Sequence, residues 1–135
     1  MQELLAALLA AGGPSRLDAR DHHRLHDALV QLWESDEVDP ADREALPLTT
    51  PIPDPEVRLR VRGVTRALWS LRACGALRVE KSAYGAHYLV NRAVVENCMP
   101  PRSALSERTW KEVQRRALTW SMEVETDLKK SCHSF

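Results

Sequence analysis

The sequence predicts an α-rich single domain with one small β-hairpin, and three observations point there. Apolar residues recur at helical spacing in several segments of the 135-residue chain. One stretch, residues 77–90, instead alternates on both sides of a turn-forming tetrad. The charge is divided along the chain although the formal net charge is zero. Residues 1–56 carry four Lys/Arg against twelve Asp/Glu, a net of −8, and residues 57–92 carry eight against the single acid Glu80, a net of +7. Residues 93–135 are almost balanced, at +1.

At this length one domain, residues 1–135, is expected, with a core large enough to need no staples. The apolar fraction of 44% and charged fraction of 28% are those of an ordinary globular chain. Three cysteines, at 74, 98 and 132, are odd in number and show no CxxC spacing. That argues against a disulfide framework and for a reducing cytoplasm. The leucine-rich start is too short to span a membrane and opens with Gln2 and Glu3 rather than a basic region, so it reads as a short helix over residues 1–11. No membrane partner is expected.

Gly12-Gly13-Pro14 ends that helix. Ser15 or Asp18 can cap a second helix reaching about Trp33, buried through Leu25, Ala28, Leu29, Leu32 and Trp33. Residues 40–46 (PADREAL) can make about two helical turns behind the cap Asp39. Residues 47–53 (PLTTPIP) cannot continue a helix and read as an extended surface loop.

Two readings compete over residues 57–62 (VRLRVR). Strict alternation suggests a strand, in which case the next helix begins at Val64. Against this, Asp54-Pro55-Glu56 resembles a helix start, and Val57, Val61, Val64, Leu68 and Leu71 follow one helical stripe. The expectation adopted is one helix over residues 55–74, with Gly63 inside it at a cost of about 1 kcal/mol. Gly75 stops it. A hairpin follows, residues 77–81 and 86–90 flanking a turn at 82–85. Beyond Pro100-Pro101, Ser103 or Ser106 can cap a final helix over about 103–130, with the stripe Trp110, Val113, Ala117, Trp120, Val124 and Leu128.

Residues 64–79 (VTRALWSLRACGALRV) resemble the recognition helix and first wing strand of winged helix-turn-helix proteins. There a helix of the form L-x-x-L-x-x-x-G-L runs into a hairpin, and Leu68, Leu71, Gly75 and Leu77 occupy those positions. The resemblance covers about residues 55–91. It implies a winged-helix-like core over about 17–91 with extra N-terminal and C-terminal helices. It also implies a DNA-binding transcriptional regulator. A winged-helix protein–protein interaction module without DNA binding is the alternative.

On the single-helix reading, Arg58, Arg62 and Arg66 line one side, with Thr65, Trp69 and Ser70 beside them, and Arg78 and Lys81 lie on the first wing strand. Arginine can make paired bonds to phosphate or a guanine edge, which makes these residues the candidate DNA contacts. The competing reading is a solvated face neutralised by the chain's own acids. Trp69 could stack on a partner or on an arginine, but the expectation adopted is that another part of the chain covers it. His22 and His26 sit one turn apart with Asp18 nearby, too few ligands for a closed zinc site. Cys74 falls at a helix C-terminus, where the dipole disfavours a thiolate, and Cys98 is expected to pack. No catalytic motif appears, and no enzyme activity, cofactor or metal is expected. The final helix can close the core, pack against a second copy, or do both; a homodimer is expected, with Trp110, Val113, Ala117, Trp120 and Val124 of this helix in its interface.

Overall fold

A computed structural model describes residues 1–19, 22–83 and 85–133, with the side chains of Leu128 and residues 130–133 outside the description. Tyr84, part of the expected hairpin turn, also lies outside the described residues. The described chain is mainly helical with small antiparallel sheets. At its centre is α1 (Gln2–Ala10), in which Leu4, Leu5, Ala6, Ala7, Leu8 and Leu9 are all buried. A helix apolar on every side must be covered on every side. The cover comes from α3 (Val64–Ala73), α4 (Arg92–Cys98) and α5 (Glu107–His133).

The second helix does not start where the sequence suggested. Residues Arg16–Asp18 form strand β1, burying Leu17 between exposed neighbours, and α2 (His23–Glu34) begins only after it. Ser15 and Asp18 therefore cap no helix. Leu25, Ala28, Leu29 and Leu32 are buried as expected. The charged side of α2 meets α5: Arg24 bonds Asp127 at 2.9 Å, and Arg116 reaches Gln31 at 3.3 Å.

Residues 40–46 form less helix than expected. Asp39 does cap, its carboxylate accepting the Ala41 N–H at 3.0 Å, but only a single 3-10 turn follows, Pro40–Asp42. Asp42 then turns inward and holds the start of α5. Its carboxylate accepts the backbone N–H of Ser106 at 3.0 Å, the Ser106 hydroxyl at 2.9 Å and the Thr109 hydroxyl.

The single helix over 55–74 is replaced by a strand, a turn and a shorter helix. Strand β2 (Ile52–Asp54) pairs antiparallel with β3 (Arg58–Arg60), Ile52 opposite Arg60 and Asp54 opposite Arg58. The supposed helix start is a tight turn, in which the Asp54 carboxylate accepts the N–H groups of Glu56 at 2.8 Å and Val57 at 3.4 Å. That is local side-chain to backbone bonding competing with helix, and here it wins. The strand alternation holds: Val61 is buried while Arg58, Arg60 and Arg62 are exposed. Gly63, at φ +88°, turns the chain into α3. With residues 35–63 between α2 and α3, no short helix-turn-helix connection joins them.

On α3 the expected buried face is present: Val64, Leu68 and Leu71 are in the core together with Val61 just before the helix. Gly75 ends the helix at φ +86°, with the Ala76 N–H bonded to Leu71 O at 2.8 Å and the Gly75 N–H to Arg72 O at 3.2 Å. This pair of bonds satisfies carbonyls that the helix end would leave open. The chain passes directly into strands β4 (Leu77–Ser82) and β5 (Gly85–Val90), paired from Leu77↔Val90 to Ser82↔Gly85. The hairpin is therefore where the alternation put it, but it is not the only β structure. The strand β1 adds to its far edge, Leu17 opposite Tyr88, giving the sheet order β1-β5-β4.

Helix α4 was not anticipated. Asn91 caps it, accepting the Val94 N–H at 3.4 Å, and Val95 is fully buried against α1. Arg92 extends back to donate to Leu9 O at 3.2 Å and Gly13 O at 3.1 Å, closing the C-terminal end of α1. The final helix starts behind Ser106, whose hydroxyl accepts the Thr109 N–H at 3.3 Å. Among the described residues, no helix is long and apolar enough to cross a membrane.

Candidate nucleic-acid interface

The short helix α3 divides cleanly. Val64, Ala67, Leu68 and Leu71 face the core, while Thr65, Arg66, Trp69 and Arg72 face outward. Helical spacing of three and four residues forces this division. Trp69 is 65% exposed, so the expectation that another element covers it is corrected. Its ring is instead faced by the Arg72 guanidinium, 5.5 Å from the centroid, a cation–π arrangement on the helix surface.

Arg58, Arg62 and Arg66 all remain exposed, but they do not share one helix side. Arg58 is on β3 with φ 69°, Arg62 is in the turn before α3, and Arg66 is in its first turn. An open cleft at the start of α3 brings Arg62, Thr65 and Arg66 together with His26 and Arg60. Gly63 supplies no capping side chain at this helix end. The first N–H groups of a helix have no intrahelical partner and favour negative charge. Ser70 is half-buried and does not join the exposed face. Arg78 lines a different cleft with Ser15, Arg16, Asn91 and Arg92, and Lys81 lies exposed near the hairpin tip.

Among the described residues, the chain's own acids leave most of this face without an ion-pair partner. Among the described residues, no carboxylate lies within ion-pair distance of Arg58, Arg62, Arg66, Arg72 or Lys81. Arg60 meets Asp54 at 3.8 Å, and Glu80 is shared by Arg16 at 3.6 Å and Arg78 at 3.9 Å. Two other acids of the N-terminal part face α5 instead. Glu37 pairs with Arg108, and Asp42 holds Ser106 and Thr109.

His26 is the buried polar residue at this site. Burial is the main cause that lowers its pKa, with the charge of His22 next. Its Nδ1 accepts the Val61 N–H at 3.0 Å, so it positions the cleft rather than ligating a metal. His22 stacks on Tyr88, with ring centroids 6.3 Å apart. No cluster of three or more metal-ligating side chains occurs among the described residues.

The expected dimer residues have other employment. Trp110, Val113, Ala117 and Trp120 are buried in their own chain, Trp120 at 2% exposure, and Trp110 also donates its indole N–H to Arg102 O at 2.7 Å. They cannot anchor an interface without leaving the core. Val124 is half-buried against that same core, and the Leu128 side chain lies outside the described residues. Among the described side chains of α5, the large apolar ones that are exposed are Leu118 and Met122.

Sequence reading missed Arg60 and Arg72 as members of the basic surface, although both belong to the +7 segment. The signal for Arg72 was its place three residues after Trp69, neighbours on a helix surface. Compared with protein-family models, curated proteins and solved structures, the chain matches none.

Proposed function

We propose that this chain is a DNA-binding regulator that docks on duplex phosphates through the exposed side of α3 and the turn before it. The observation that carries this reading is the set of exposed arginines with no acidic partner among the described residues, Arg58, Arg62, Arg66 and Arg72. Arg66 and Arg72 stand on α3, Arg62 in the turn before it and Arg58 on β3; such guanidinium groups suit phosphate contact, because they bind in a fork and their charge is not already compensated. The uncapped start of α3 adds partial positive charge beside Arg62 and Arg66. The passage from α3 through Gly75 into the β4–β5 hairpin supports the winged-helix character of the reading.

A second reading is a protein-interaction module that touches no DNA. What favours it is Trp69, exposed and paired with Arg72, because Trp and Arg are the residues that most often anchor protein interfaces. The long segment between α2 and α3, where a short turn would suit DNA docking, favours it too. Binding to a mixed-sequence duplex across a salt series separates the two. The regulator binds with a steep salt dependence because phosphate neutralisation releases counterions. A chain with no affinity even at low salt is the interaction module.

A further inference from the structure

Two thiols distant in sequence meet where α3 and α4 end. Cys74 Sγ and Cys98 Sγ lie 3.8 Å apart, and both are free. Cys74 follows the last residue of α3, is exposed, and directs its thiol to Leu71 O at 3.3 Å. Cys98 ends α4 and packs, half-buried, against the core. Burial first, and the bond to Cys74 second, raise the Cys98 pKa. Residues 75–97 lie between them, so a bond joining the two would enclose the whole β4–β5 hairpin in a covalent ring.

We propose that Cys74 and Cys98 form a thiol pair that closes to an intramolecular disulfide by exchange with a low-molecular-weight disulfide such as oxidised glutathione. The sulfurs need to approach by about 1.8 Å to reach bonding distance, a shift that side-chain rotation at two helix ends can supply. The pair differs in access, which sets the order of events. Cys74, the more exposed of the two, meets the oxidant first; its sulfur attacks one sulfur of the oxidant as its proton passes to solvent. A mixed disulfide on Cys74 forms, and one glutathione leaves as a thiolate that takes up a proton. Cys98 then loses its proton and attacks Cys74 Sγ, expelling the second glutathione. Two cysteine thiols are oxidised, one small disulfide is reduced to two thiols, and the protons balance. In a reducing compartment the pair rests as two thiols and closes when the glutathione pool is oxidised.

The test uses the full chain carrying Cys132→Ser, so that only this pair remains. After incubation with oxidised glutathione and an acid quench, intact mass should show the loss of two hydrogens and no bound glutathione, with a peptide map joining residues 74 and 98. Adding Cys98→Ser should trap one glutathione on Cys74, at about tenfold or more the level seen with both thiols present. Glutathione accumulating separately on both cysteines of the folded chain would overturn the proposal. So would a folded chain that stays fully reduced where the same chain in denaturant reacts. The parent's mass and map decide the matter alone if the Cys98→Ser chain does not fold.

Discussion

The His26 imidazole holds the backbone of Val61, its Nδ1 accepting the Val61 N–H at 3.0 Å across a buried contact between α2 and the end of β3. This bond fixes the point at which the chain leaves the β2–β3 hairpin, two residues before Gly63 turns it into α3. The basic cleft is built on that junction, so its geometry depends on a neutral histidine.

Acid should therefore weaken the fold through His26. Its pKa lies below the ordinary 6.5, first because of burial. A histidine depressed in this way contributes fully above its unfolded value and loses that contribution as pH falls through the folded value. Urea midpoints measured at about pH 7.5 and about pH 5.5 should differ in the parent and differ less in His26→Gln. Equal pH dependence in the two would contradict this role.

Gly63 decides between a long helix and the observed turn. In a helix interior, Gly63→Ala would stabilise by about 1 kcal/mol. At φ +88° the new Cβ should instead destabilise by about 1–2 kcal/mol. The nearest atom, Met1 Cβ at 3.4 Å, is in ordinary contact, so backbone strain rather than crowding sets the sign. Chemical denaturation reads it directly.

Asp42 should make the anchoring of α5 sensitive to acid at a lower pH. The Thr109 hydroxyl first, then the backbone and hydroxyl of Ser106, hold its carboxylate below the ordinary value of 3.8, against the opposing effect of burial. The stabilisation is full above that value and is lost as pH falls through the folded one. Asp42→Asn, which replaces an ionised acceptor at a buried site, should cost about 1–3 kcal/mol at neutral pH, read from urea unfolding.

The tryptophans should separate sharply. Trp120→Glu places a charge in the core and should cost about 4 kcal/mol or more, giving an unfolded chain rather than a folded monomer. Trp69→Ala should change stability by less than about 0.5 kcal/mol, because the side chain stands in solvent. Circular dichroism melts of the two variants check both.

Much of this fold was legible where a pattern was local and complete. The 77–90 hairpin followed from alternation, and the buried side of α3 from Val64, Leu68 and Leu71. Where two local signals conflicted, the pattern could not arbitrate. Asp54-Pro55-Glu56 suits a helix start and a tight turn equally, and the decision came from the pairing of β2 with β3 and from His26, all set by tertiary structure. Strand β1 is only three residues long and exists because β5 offers an edge, which a linear pattern does not announce. Asn91 did carry a readable signal as the cap of α4. The basic surface was legible as composition, but its grouping around the start of α3 was not. The exposure of Trp69 was equally hidden, because coverage depends on where α5 packs.

The most direct test of the account is the salt dependence of duplex binding by the parent and by the Arg62→Ala, Arg66→Ala double variant. Both arginines are exposed, so their removal should leave stability nearly unchanged. If they meet phosphates, the variant should bind more weakly, with a salt slope flatter by about one unit for each phosphate left without its arginine. A double variant that binds duplex with the parent's affinity and slope would contradict the assignment of this face.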